Sequence, residues 1–332
     1  MAAALYPWQH AAWDALAGRL RRQQVPNALL IAGPAGVGKS VLAAQLVAAL
    51  LCESPEPASL QACGHCRSCR MVDGDGHPDS RTLTPEEDKA SISIDQIRDI
   101  VHFLNLTPQY GASKVITVTP ADVLTLAAAN SLLKTLEEPP AGGVLILVSE
   151  RPATLPATVR SRCQAVRVNR PPRDQAIMWL QQRLTTAQRP QAALYVDLAQ
   201  GRPLQALQLA EQQDLLACRE AVLGGFDQII SGGQQVISIA EQWLKFGLKE
   251  SLYWIDSWLV DMVRLKAGGE QPPGLANPDL SERLLTLAAG CTLQRLLELQ
   301  QLCVGIRREA HTTLNPALVI ETLAIQLARK TR

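Results

Sequence analysis

Two short stretches of this chain carry residue types at spacings that do chemistry. The first is Gly33-Pro34-Ala35-Gly36-Val37-Gly38-Lys39-Ser40, which fits the pattern Gly, any four residues, Gly-Lys-Ser. Its small residues let backbone N–H groups close around phosphates. Lys39 stands where it reaches the β- and γ-phosphates, and the Ser40 hydroxyl where it holds Mg²⁺. A helix starting at this point adds its positive end. Gly33, Gly36, Val37, Gly38, Lys39 and Ser40 are therefore the candidate ligands of ATP or ADP with Mg²⁺. The alternative is a vestigial loop that keeps the fold and binds no nucleotide.

The second stretch is Cys52, Cys63, Cys66 and Cys69, spaced C-x₁₀-C-x₂-C-x₂-C. Thiolates this close can wrap one tetrahedral Zn²⁺, and four sulfur ligands leave no open position for catalysis. An Fe–S cluster or unbound thiols are the alternatives. The segment is too short for a core of its own, so a metal would supply its folding energy. His65 and His77 read as bystanders, and Cys163, Cys218, Cys291 and Cys303 as ordinary buried cysteines.

A loop that holds phosphates does not by itself hydrolyse anything. Hydrolysis needs a carboxylate on Mg²⁺ and usually a second acid that orients water. Those acids belong at the end of the apolar run "KVITVT" (114–119), which instead ends in Thr119 and Pro120. Asp122 lies three residues too far along, and reads as the cap of the helix that follows.

These residues need a scaffold, and the patterning predicts one. The chain has 332 residues, 47% of them hydrophobic and only 4% aromatic, so two or three helix-rich domains are expected. A net charge of +1 means that any nucleic-acid contact is a local patch. With no clustered aromatics, a zinc-dependent nucleic-acid binder is disfavoured. No run of about 18 apolar residues predicts a membrane span. The N-terminus lacks a secretory signal, and the metal-like cysteine spacing favours a cytoplasmic protein. Buried strands are read at 28–33, 80–85, 114–119, 144–150 and 164–170, with helices between, which makes a parallel sheet covered on both faces. Ser93 and Gln96 predict a capping box on one helix, and "LAAANSLLKTLEEPP" predicts another, stopped by Pro139 and Pro140. After about residue 170 the strands stop. The fold class is α/β plus all-α. Residues 1–170 form the nucleotide-binding-fold domain with a metal module at 52–69, 171–210 a small helical lid, and 211–332 a helical C-terminal domain.

"NALLIAGPAGVGKS", the cysteine cluster, "AAANSLLKTLEEPP" and "LPATVRSRCQ" occur in this order and spacing in bacterial clamp loaders, which this chain resembles over roughly residues 5–210. These are AAA+ proteins that open the ring-shaped sliding clamp of the replicative DNA polymerase. The resemblance implies a P-loop sheet domain, a lid and a C-terminal collar that joins other subunits. It implies structural zinc on the four cysteines. Its implied partners are the gamma/tau and delta subunits, the sliding clamp, and primed DNA in the assembled complex. The missing acids point to a non-hydrolysing stator within the family; an active gamma/tau-type ATPase is the alternative. In the lid stretch "QGRPLQAL", Leu204 stands where active members carry a phosphate-sensing arginine, and Arg202 is out of step with it.

From its residues alone, Arg162 in Ser161-Arg162-Cys163 reads as a surface arginine among other basic residues. The resemblance makes it an arginine finger that acts in trans on ATP bound to the neighbouring subunit. Lys134 reads as part of a solvated helix face; the resemblance turns such a helix toward DNA phosphates. Glu137 and Glu138 read as fixing a helix end. Tyr6, Pro7 and Trp8 read equally as core packing and, by resemblance, as a support for adenine.

Overall fold

The computed structural model describes residues 4–329 apart from 23, 75, 213, 269–273 and 310–314. Packing divides the chain into two units, Met1–Gln175 and Ala176–Arg332.

The first unit is built on five parallel strands: β1 (Ala28–Ala32), β2 (Ser80–Leu83), β3 (Lys114–Val118), β4 (Gly143–Ser149) and β5 (Gln164–Arg167). They lie in the order β2-β3-β4-β1-β5. Every residue of the three inner strands is buried, as a sheet covered on both faces requires. Successive side chains point to opposite faces. Leu29 and Ile31 pack with Trp13, Leu42 and Leu46 of helices α1 (His10–Arg21) and α2 (Lys39–Leu51). Leu30 and Ala32 pack on the other face with Ile97, Ile100 and Phe103 of α4 (Ile94–Leu104). The intervening short helix is α3 (Arg67–Asp73).

The capping box expected at Ser93 is present: Gln96 N–H donates to Ser93 Oγ and Ser93 N–H to Gln96 Oε1. The helix expected over "LAAANSLLKTLEEPP" is instead two short ones, α5 (Leu126–Ser131) and α6 (Leu133–Glu137). At the break Ser131 Oγ donates to the Ala128 carbonyl and Leu132 N–H to that of Ala129, a local tightening by a serine that competes with the regular ladder. Leu132 and Leu136 still face the core. One last short helix, α7 (Ala157–Arg160), precedes β5.

Helix α8 (Arg173–Gln181) spans the division. The second unit continues with α9 (Ala192–Leu198), α10 (Pro203–Glu211), α11 (Leu215–Ile230), α12 (Val236–Lys245), α13 (Leu248–Gly268), α14 (Ser281–Ala289), α15 (Leu293–Glu309) and α16 (Pro316–Ala328). No strand occurs in it among the described residues, and no helix is long and apolar enough to cross a membrane. The α/β plus all-α expectation therefore holds.

A buried polar network ties α11 and α13 to the segment before α14. Arg219 makes two bonds to Asp279, at 2.7 and 3.1 Å, and one to Asn277. Fully buried Asp261 accepts N–H bonds from Ala276 and Asn277 and one from the Asn277 amide. Asp261→Ala leaves the backbone N–H groups of Ala276 and Asn277 buried and without that acceptor, at about 1–3 kcal/mol each. The expected result is a clear drop in the urea midpoint of the second unit, read by fluorescence of its Trp243, Trp254 and Trp258. An unchanged midpoint would show that water or rearrangement replaces the carboxylate.

Candidate functional site

The phosphate loop lies at the carboxyl end of β1, where open parallel sheets place their ligand sites. Gly33 is required by a close approach, since a Cβ there would lie 2.1 Å from the Val168 carbonyl oxygen. Gly38 caps α2 in the left-handed region, with φ of 82°, and a Cβ on it would meet the Tyr6 ring at 2.5 Å. The N-terminal segment closes the back of the loop. Trp8 Nε1 donates to the Val37 carbonyl at 2.9 Å, and Gln9 Nε2 to those of Val37 and Gly38 at 3.2 and 2.7 Å. Tyr6 and Trp8 stack at 5.0 Å. Both aromatic residues thus serve the packing of the loop itself.

Lys39 is buried, with 6% of its side chain exposed. Its ammonium donates to the Pro34 carbonyl at 2.8 Å and pairs with Glu150 at 3.5 Å. Burial pulls its pKa below the usual lysine value, while Glu150 and, less, Asp122 work the other way. Glu150 was not foreseen as part of this site. It belongs there because β4 is the direct neighbour of β1: Ala32 pairs with Ser149, and Gly33 N–H donates to the Ser149 carbonyl. Ser40 is exposed, and with Thr119, His77 and Arg81 it lines a cleft of about 860 Å³.

Asp122 does not cap the following helix, as the sequence led one to expect. Thr125 does, accepting from Ala128 N–H. Asp122 instead grips the exit of β4: Oδ1 accepts from Ser149 Oγ and Arg151 N–H, and Oδ2 from Glu150 N–H, all at 2.7–2.8 Å. Burial would raise its pKa, but these bonds outweigh burial and hold it below the ordinary value. The helix was capped by a threonine three residues on because Asp122 has a partner strand that local sequence cannot show.

Arg162 follows α7 with its side chain 36% exposed. Nη2 pairs with Glu137 at 2.6 Å and Nη1 donates to the Thr158 carbonyl at 3.0 Å. The guanidinium is thus held between the ends of α6 and α7. Lys134, Glu137 and Glu138 are exposed. Arg202 is the N-cap residue of α10, and its Nε donates to the Ala199 carbonyl.

The four cysteines expected to hold a metal converge. Their sulfurs all lie within 4.8 Å of one another, with Cys52–Cys66 at 4.0 Å and Cys63–Cys69 at 3.9 Å. A tetrahedral zinc with Zn–S near 2.3 Å needs sulfurs about 3.8 Å apart, so the set fits. Backbone N–H groups of Cys63, Cys66 and Cys69 point at Cys52, Cys63 and Cys66 sulfurs respectively, which favours thiolates. The N–H groups of His65 and Cys66 hold Cys63 down to about 5, whereas burial pushes Cys52 and Cys69 up. His65 is exposed and lies outside the sulfur cluster.

His77 stands outside the sulfur cluster, as expected of a bystander to the metal, but it has a structural part. It is buried, its Nε2 lies 2.6 Å from Ser68 Oγ, and its Nδ1 accepts from Asp79 N–H at 3.0 Å. Asp79, fully buried, pairs with Lys114 at 2.7 Å and accepts from the N–H groups of Gln109 and Tyr110. The chain Ser68–His77–Asp79–Lys114 therefore anchors the cysteine module to β2 and β3. Of the other cysteines, Cys163 and Cys303 are buried as expected, but Cys218 and Cys291 are only partly so.

The family described as "DNA polymerase III, delta subunit" matches residues 8–172, and its C-terminal family matches 213–329. The DNA polymerase III subunit delta' of Pseudomonas aeruginosa is 33% identical, over 98% of this chain and 97% of its own. That of Escherichia coli is 33% identical over 88% and 86%, and that of Bacillus subtilis 26% identical over 93% and 92%. With a phosphate loop on a parallel sheet, a convergent cysteine module and a helical second unit, and with that likeness along nearly its whole length, the chain belongs to the family of DNA polymerase III delta' subunits.

Proposed function

We propose that this chain works as a non-hydrolysing stator in a cytoplasmic clamp-loader complex of DNA polymerase III. It binds gamma/tau and delta subunits, helps place the sliding clamp on primed DNA, and offers Arg162 to ATP bound next door. The observation that supports this most is the engagement of Asp122. Strand β3 leaves through Thr119 and Pro120, and the one nearby acid beyond it has both oxygens committed to the exit of β4. Among the described residues that leaves no uncommitted carboxylate at the end of β3 to carry Mg²⁺ or orient water, which supports a loop that holds nucleotide without hydrolysing it.

Gly33, Gly36, Val37, Gly38, Lys39 and Ser40 would hold the phosphates of ATP or ADP, with Mg²⁺ on Ser40. Cys52, Cys63, Cys66 and Cys69 would hold one structural zinc. We read residues 1–170 as the nucleotide-fold domain, 171–210 as the lid and 211–332 as the collar. Leu318 and Ile325, seven apart on α16, and Leu293 and Leu297, four apart on α15, are 38–64% exposed and suit a subunit interface.

The test is to mix the purified chain with gamma/tau and delta subunits of the Pseudomonas aeruginosa relative's complex. A stable assembly that loads clamps, together with no ATP turnover by the chain alone, is expected. Turnover by the isolated chain that Lys39→Ala abolishes would overturn the stator reading.

A further inference from the structure

The phosphate-loop lysine has a carboxylate of its own chain beside it. Lys39 is nearly fully buried, bonded to Pro34 O and paired with Glu150 at 3.5 Å. Glu150 is not a drifting surface group. Its backbone N–H is clamped by Asp122, its neighbours Ser149 and Arg151 are clamped by the same carboxylate, and β4 is in register beside β1. The side chain is therefore launched from a rigid strand end toward the ammonium that should meet the β- and γ-phosphates. Glu150 and, less, Asp122 are the acidic groups that act on that ammonium.

We propose that Glu150 is a specificity-determining residue that makes this loop a diphosphate pocket and disfavours a triphosphate. This rests on the reading of residues 33–40 as a nucleotide site. The β-phosphate of a nucleoside diphosphate is met chiefly by the loop N–H groups and the start of α2, which Glu150 leaves free. A γ-phosphate adds its charge beside the one ammonium that Glu150 already engages. It must either displace that carboxylate or share the lysine with it. Like charges a few ångströms apart in a half-buried site repel strongly enough to shift affinity by an order of magnitude. A stator gains from this arrangement, since its pocket then does not cycle with cellular ATP.

The test is titration of the full-length chain with ADP and with ATP, each with Mg²⁺, by calorimetry. Wild type, Glu150→Gln, Glu150→Asp and Lys39→Ala are compared. In wild type, ADP is expected to bind at least tenfold more tightly than ATP. Glu150→Gln should tighten ATP about tenfold and ADP much less, so that the preference collapses, while Glu150→Asp keeps it. Glu150 is 49% exposed, so neither change threatens the fold. An ATP-to-ADP ratio unchanged by Glu150→Gln overturns the proposal and leaves the nucleotide pocket standing. Absence of binding for both nucleotides in wild type and Glu150→Gln alike overturns the pocket and the proposal together.

Discussion

Cys69→Ser is expected to lose most of the one equivalent of zinc that the four cysteines would hold, and to unfold the segment from Cys52 to Asp73. Cys69 is the buried member of the sulfur set and the only one inside a helix, in the first turn of α3. The segment around it is held by sulfur contacts and N–H···S bonds more than by apolar packing. The partly buried Leu60 and Val72 pack on the core, and the chain from Ser68 through His77 and Asp79 to Lys114 is its polar attachment. Three remaining thiols leave the fourth position to water or the serine oxygen, which holds the metal more weakly. Structural zinc contributes about 10–16 kcal/mol of apparent binding free energy in small modules, so its loss exceeds what these few contacts supply. The sheet has its own core on both faces and should survive. The checks are metal content and hydrogen exchange: rapid exchange confined to the cysteine segment and the loop near Tyr110, with β1, β3 and β4 still protected. Full zinc retention by the serine variant would show that Cys69 is not a ligand.

The route by which that unfolding reaches Tyr110 also shows what the sequence could and could not reveal. The loop at residues 33–40, the capping box at Ser93 and the four cysteines are contiguous or nearly so, and their physics acts over a few residues. Each was readable because the chemistry sets the spacing. The roles of His77, Asp122 and Glu150 were not readable: those of Asp122 and Glu150 depend on partners placed by the sheet, and that of His77 on the turn that brings it back to Ser68. His77 meets Ser68 across a turn of the cysteine module, and Asp122 and Glu150 meet through the exit of β4. Nothing local distinguishes a capping aspartate from one that grips a distant strand end. One signal was available: once strands 28–33 and 144–150 are placed in a parallel sheet, a charged residue just after "VLILVS" must lie at the same edge as the loop after "ALLIA". Strand order alone would then have put Glu150 near Lys39. The break at Leu132 was hidden for a different reason, since Leu132 and Leu136 keep a helical apolar spacing across it.

Arg162→Ala in the reconstituted complex is expected to lower ATP hydrolysis at the adjoining gamma/tau site by about a thousandfold, the low end of what an arginine finger contributes. The local geometry makes the effect separable from folding. Arg162 loses one part-exposed ion pair, to Glu137, and one bond to the Thr158 carbonyl. An exposed pair contributes under about 1 kcal/mol, so stability and assembly should hardly change. Arg162→Lys keeps the charge but loses the planar fork, and should recover little of the rate. Glu137→Gln supplies the internal control. It frees the guanidinium without removing it, so its effect on rate must vanish in the Arg162→Ala background. Single-turnover hydrolysis with DNA and clamp present is the measurement, because it reads chemistry and not product release. A wild-type rate from the alanine complex would sink the trans role. Arg162 would then be what its residues alone suggested, a surface arginine, and its pair with Glu137 a purely local contact.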